Sequence, residues 1–156
     1  MVDTSDEGNF RKAKNTCFRL LKIRLRSEQE LRDKLSAKNH PILIAEQTIR
    51  YFKDCELIDD RLFARQWTSS RLKKPFGFGR IRLELQKKGI EAAIIDEALT
   101  EAGHQYDELA VVTPLAKHRA TKYGNVSPEK IRQRVYGYLS RRGFNTNTIM
   151  KAIKNI

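Results

Sequence analysis

A chain of 156 residues that is 40% hydrophobic has room for one domain or several small modules, and it is too apolar to be disordered along its whole length. Its 31 lysines and arginines against 19 acidic residues leave a formal charge of +12, which makes polyanionic partners a serious hypothesis without choosing among them. Cys17 and Cys55 lack CxxC spacing or a histidine pair, so they read as buried thiols in a reducing compartment; the polar VDTSDEG start and the lack of 18 consecutive apolar residues argue against a signal peptide or membrane span, and the reading is cytoplasmic.

Residues 1–9 are polar, and the expectation is a disordered N-terminus. From Phe10 to Leu25, Ala13, Cys17, Leu20 and Leu21 recur at helical spacing among basic residues. Ser27 followed by Glu30 is a capping box, since a serine oxygen accepts the amide three residues on and the glutamate reaches back; Leu31 and Leu35 form the core face of the helix that follows. Pro41 fits the first turn of a third helix, where its missing amide proton costs little, and Ile42, Ile44, Ala45, Ile49 and Phe52 extend the pattern to about Lys53. Residues 10–56 are thus predicted to be one three-helix unit.

The next unit, residues 57–104, opens with LIDDRLFA. Asp59 and Asp60 stand where a helix start needs side-chain oxygens, and Leu62, Phe63 and Ala64 are expected to look inward, with Trp67 in the core. Pro75, Gly77 and Gly79 break that helix; the next begins near residue 79, presents Ile81 and Leu85 on one face and ends at Lys87, Lys88 and Gly89. A third follows over about 91–102 with Ile94, Ile95, Ala98 and Leu99, closed by Gly103. The last unit, residues 105–156, begins with a helical pattern over Tyr106–Tyr123 that contains Pro114, so the helix either kinks there or starts with Thr113 as N-cap. Ser127, Pro128 and Glu129 start another, bearing Ile131, Val135 and Leu139 and ending at Gly143, and a final helix runs from about Asn145 through Ile149 and Ile153.

Superposing the middle helices aligns Leu31 and Leu35 with Ile81 and Leu85 and with Val135 and Leu139. The alignment continues through Asn39, Gly89 and Gly143 at the turn and Ile49, Leu99 and Ile153 in the following helix. A period near 50 residues is the signature of stacked modules, and a lone unit of that size buries too little apolar surface to be more than marginal. The fold expectation is all-α, three tandem three-helix repeats in an elongated array with room for curvature.

The chain resembles the RecX family, the regulatory proteins of the RecA recombinase. The resemblance rests on RSEQELRDKL in the first unit, LIDDRLFA at the start of the second and GRIRLELQKKGI after it, within a tandem plan covering residues 10–156. It implies an all-helical protein of three repeats that binds the RecA filament and limits its activity in recombination, DNA repair and the SOS response. Two departures stand out: Asn39 replaces the glycine expected at its turn, and Pro114 interrupts the least similar unit. Asparagine tolerates the left-handed conformation better than most residues.

The basic residues are the functional candidates. Residues 105–156 hold Lys117, Arg119, Lys122, Lys130, Arg132, Arg134, Arg141, Arg142, Lys151 and Lys154 against Asp107, Glu108 and Glu129, a balance of +7, compared with +3 over residues 1–58 and +2 over residues 59–104. Ordinary solvation of a helical surface does not require that asymmetry. The charge is spread round the 128–142 helix, which suits phosphate contacts without base reading, and Tyr136 or Tyr138 is placed to stack on unpaired bases, the other being core. No phosphate loop, nucleophile triad or metal spacing is present, and Asp59 and Asp60 have no companion ligand, so no catalytic residue, cofactor or metal is assigned. Two functions compete: a monomeric, non-enzymatic regulator docking on the recombinase filament, with single- or double-stranded DNA as a further partner, and an autonomous sequence-independent DNA-binding protein.

Overall fold

The computed structural model describes residues 4–154 and 156, and these form helices and connecting turns throughout. The first repeat comprises α1 (Thr4–Leu21), α2 (Glu28–Ala37) and α3 (Ile42–Asp54); the second comprises α4 (Asp60–Leu72), α5 (Phe78–Lys87) and α6 (Ala92–Gly103). The third comprises α7 (Glu108–Ala120), a 3-10 turn (Thr121–Tyr123), α8 (Pro128–Arg141) and α9 (Thr146–Ile153). In every repeat the first helix packs along the third and the second leans on both. The apolar side chains gather into three separate cores, one per repeat, and the six residues aligned by sequence, Leu31, Leu35, Ile81, Leu85, Val135 and Leu139, are all 0% exposed.

Local structure departs from expectation at a few places. Of the N-terminal stretch expected to be disordered, residues 1–3 lie outside the described residues, while residues 4–9 are the first turns of α1, held as Phe10 packs on the first core and meets the Tyr51 ring edge-on at 6.0 Å. Leu62 is 42% exposed: at 100° per residue three consecutive side chains cannot all face inward, and Phe63 and Ala64 take the core positions. Cys17 is buried, which pushes its thiol up to about 11, but Cys55 falls past the last turn of α3 and is exposed. Thr113 is not an N-cap: Asp107 caps α7 by accepting from the Ala110 amide at 3.1 Å, and the helix runs through Pro114, gripped on either side by the fully buried Val112 and Ala116. Ser127 occupies the N-cap of α8 but its side chain makes no capping bond.

The repeats are joined end to end through their middle helices. The N-terminus of α2 abuts the turn after α5: Ser27 Oγ donates to the Lys88 carbonyl at 2.7 Å while completing its own capping box with Glu30, and Lys88 Nζ donates to Glu30 Oε1 at 2.7 Å. The N-terminus of α5 in turn abuts the turn after α8, where the Gly77 and Gly79 amides donate to the Arg142 and Gly143 carbonyls at 2.8 and 2.9 Å. Each joint thus sets the negative end of one helix dipole against the positive end of the next. The approach is close enough to require glycine, because a Cβ on Gly143 (φ 81°) would lie 2.1 Å from the Arg80 nitrogen and one on Gly89 (φ 73°) would lie 2.4 Å from Gln29 Cβ. Asn39 adopts the same left-handed conformation (φ 59°) but sits exposed at the turn of the first repeat, at the end of the column, where a side chain costs nothing in packing.

Candidate functional site

One strip of surface runs across the second and third repeats as an alternation of cations and aromatic rings. Lys88 Nζ lies 4.3 Å from the centroid of the Trp67 ring, whose other neighbour, the Arg71 guanidinium, is 4.6 Å away. Arg71 also faces Phe76 at 5.6 Å, and Phe76 is shared with Arg80 at 4.4 Å and with Arg142 of the third repeat at 5.3 Å. Arg142 continues to Tyr138 at 4.8 Å, Arg119 takes Tyr138 at 4.5 Å and Tyr123 at 5.4 Å, and Arg134 closes the run over Tyr123 at 5.4 Å. All lie within the reach of a cation–π contact, of which roughly one per 70–80 residues is ordinary. A run through four rings is therefore a local specialisation. Trp67, Phe76, Tyr123 and Tyr138 are each half-buried, leaving ring surface accessible beside the guanidinium groups.

Sequence spacing builds much of this ladder. Trp67 and Arg71, Arg119 and Tyr123, and Tyr138 and Arg142 are four residues apart on or at the end of a helix, the separation that puts side chains one above the other, whereas Phe76 lies in the connection before α5 and meets Arg80 from there. The joint between repeats does the rest: Arg142 Nη1 donates to the Pro75 carbonyl at 2.9 Å, which holds the third-repeat cation beside Phe76.

Two carboxylates meet the ladder. Glu84, on α5, accepts from Trp67 Nε1 at 3.0 Å, from Arg71 Nε at 2.6 Å and from Arg80 Nε at 3.1 Å. Burial raises its proton affinity, but the bonds from Arg80, Trp67 and Arg71 outweigh it and hold the carboxyl below the usual range. Glu30 is likewise pushed up by burial and pulled further down by Arg24, Lys88 and the Ser27 amide, to about 2, so that Lys88 is paired at its far end with the first repeat.

Of the ten cations singled out from sequence, Arg119, Arg134 and Arg142 lie in the ladder. Arg132 is engaged elsewhere, donating to the Ile156 carbonyl at 3.0 Å and pairing with Glu129 at 3.7 Å. Lys151 and Lys154 line a separate depression of about 520 Å³ with Met150 and Ile153, and Arg141 lines a shallow cavity of about 560 Å³ at the joint between the second and third repeats. Lys117, Lys122 and Lys130 are exposed and take no part in the ladder. Both tyrosines, Tyr136 and Tyr138, pack on the third core, and of the two only Tyr138 belongs to the ladder. Reasoning from net charge overlooked Trp67, Arg71, Phe76, Arg80, Glu84 and Lys88, because the second repeat is almost neutral; the four-residue spacing of arginine and aromatic residues was the available signal. Asp59 and Asp60 have structural partners: Asp59 caps α4 by accepting from the Arg61 and Leu62 amides, and Asp60 reaches back to accept from the Glu28 amide of the first repeat at 2.9 Å.

Comparison with known proteins matches three family models along the chain: the first RecX three-helix domain over residues 13–52, the second over 59–99 and the third over 106–153. A regulatory protein RecX of Mycolicibacterium smegmatis is 35% identical over 141 residues, spanning 85% of this chain and 73% of that protein. The regulatory protein RecX of Chlorobium phaeobacteroides is 33% identical over 157 residues, spanning 100% and 98% of the two chains. Among solved structures, one regulatory protein RecX superposes with a TM-score of 0.85 at 25% identity over 97% of this chain and 74% of that one, and the RecX of Lactobacillus salivarius shares the fold with a TM-score of 0.83. The three cores, the end-to-end middle helices and these matches lead to one conclusion: the chain belongs to the RecX family of regulatory proteins.

Proposed function

We propose that this chain is a non-enzymatic, monomeric cytoplasmic regulator that binds the RecA recombinase filament and lowers its activity in recombination, DNA repair and the SOS response. Membership of a family of regulatory proteins, together with the resemblance drawn from the sequence motifs, supports this choice of partner. The observation that carries the contact surface is the ladder, which spans two repeats and offers guanidinium groups to acidic protein surface or phosphate. The test is co-sedimentation with RecA filaments assembled with and without DNA. Saturable capture by filaments in both conditions is expected, and a chain left in the supernatant throughout would end the proposal.

A second reading has its own support. Half-buried rings flanked by arginines suit unpaired bases and their phosphates, so the same strip favours sequence-independent binding of single-stranded nucleic acid without recombinase. Direct binding through Z phosphates weakens with log salt at a slope near −0.7Z on single strands. A salt titration against oligonucleotide alone therefore separates the two readings: the second requires a steep slope with recombinase absent.

A further inference from the structure

The ladder contains one carboxylate that belongs to its own repeat. Glu84 lies within hydrogen-bond distance of three ladder side chains, and it engages both arginines through their ε nitrogens. The terminal nitrogens of Arg71 and Arg80 form no hydrogen bond to protein among the described residues, so each guanidinium is half-committed, with its inner edge on Glu84 and its outer edge beside Phe76. Arg142 completes the ring of cations round Phe76 and has no carboxylate partner among the described residues. A single internal negative charge is thus set against three guanidinium groups at the point where the second and third repeats meet.

We propose that Glu84 is a built-in competitor that sets the ladder's affinity for the phosphates of single-stranded nucleic acid, by holding Arg71 and Arg80 inward and cancelling part of their charge. The inference rests on the nucleic-acid reading of the ladder given above. A phosphate approaching Phe76 meets the outer nitrogens of Arg71 and Arg80, but it also meets the repulsion of a carboxylate one guanidinium away. A half-buried glutamate present only to hold the fold would lower binding when removed. A competitor would raise it.

The measurement is anisotropy of a labelled oligo-dT of about twenty nucleotides with the wild type and Glu84→Gln, the glutamine keeping the shape and one acceptor for Trp67. Removal of one negative charge at ~5–8 Å in a high-dielectric surface is expected to tighten binding roughly three- to tenfold, and each phosphate newly engaged is expected to steepen the log-salt slope by about 0.7. Unchanged or weaker binding by a variant with wild-type helicity would overturn the proposal. So would a gain seen only with polyglutamate, which would assign the strip to acidic protein instead. Trp67 is the only tryptophan and its indole donates to Glu84, so its emission should shift as oligo-dT saturates the wild type; an unmoved spectrum at saturation counts against the competition, whatever the variant does. The Arg71→Ala, Arg119→Ala, Arg142→Ala triple variant separates the two levels. If it binds oligo-dT like the wild type, the ladder reading fails; if it loses binding while Glu84→Gln changes nothing, only the role of Glu84 fails.

Discussion

Gly143→Asn places in the third repeat the residue that the first repeat already has at the equivalent turn, and it separates the two reasons for glycine there. Asparagine accepts the left-handed conformation at little cost, so the backbone angle of 81° is not the main obstacle. The obstacle is Arg80, whose nitrogen, Cβ and Cα would lie 2.1, 2.6 and 2.8 Å from the new Cβ. These are backbone-anchored atoms, so the third repeat must back away by more than an ångström. That displacement forfeits the bonds from Gly77 and Gly79 to the Arg142 and Gly143 carbonyls, each contributing ~0.5–1.5 kcal/mol, and loosens the contact of Arg142 with Pro75. The expected loss is about 2–4 kcal/mol, or about 5–15 °C in Tm for a chain of this size. Paired thermal and urea denaturation of Gly143→Asn and Asn39→Gly measures it, the second variant being expected to shift little because residue 39 is exposed at the end of the column. A Gly143→Asn protein within about 1 °C of wild type would refute the end-to-end joint as a close backbone contact.

Other outcomes follow from the same structure. Leu85 is 0% exposed in the second core, so Leu85→Ala should cost about 2–5 kcal/mol in urea denaturation. Glu30 has its carboxyl depressed to about 2 from an ordinary 4.5, so its ion pairs add stability above pH 4.5 that disappears as pH falls toward 2. That contribution amounts to at most ~3 kcal/mol. Melting curves between pH 6 and 2.5 should show a decline that Glu30→Gln flattens, and an equally steep decline in the variant would assign it to other groups.

The repeat was legible because its core positions are written in one spacing: each middle helix ends with two aliphatic residues four apart, and the turn after it needs a residue that tolerates a left-handed backbone. The capping box at Ser27 and Glu30 was legible for the same local reason. What was not legible depends on how the repeats meet. Asp60 looked like a second cap for α4, but its oxygen is taken by an amide 32 residues earlier, a partner that no local pattern indicates. The ladder was only half visible: summed charge led to the third repeat, whereas the Phe76 hub draws Arg71 and Arg80 from one repeat and Arg142 from the next. Pro114 left two readings open because propensity treats a helix in isolation; the start at Thr113 is the one that fails, since Val112 and Ala116, fully buried on either side, hold α7 through the proline.

On the proposed function, the cation–aromatic ladder is the surface by which the chain restrains the recombinase. The direct measurement is DNA-stimulated ATP hydrolysis by RecA titrated with wild type, with the Arg71→Ala, Arg119→Ala, Arg142→Ala triple variant, and with a Lys151→Ala, Lys154→Ala control whose cations lie in a separate depression. Inhibition by wild type and control at similar concentrations is expected, with at least a tenfold higher requirement for a triple variant of unchanged helicity. Equal potency of the triple variant would contradict it.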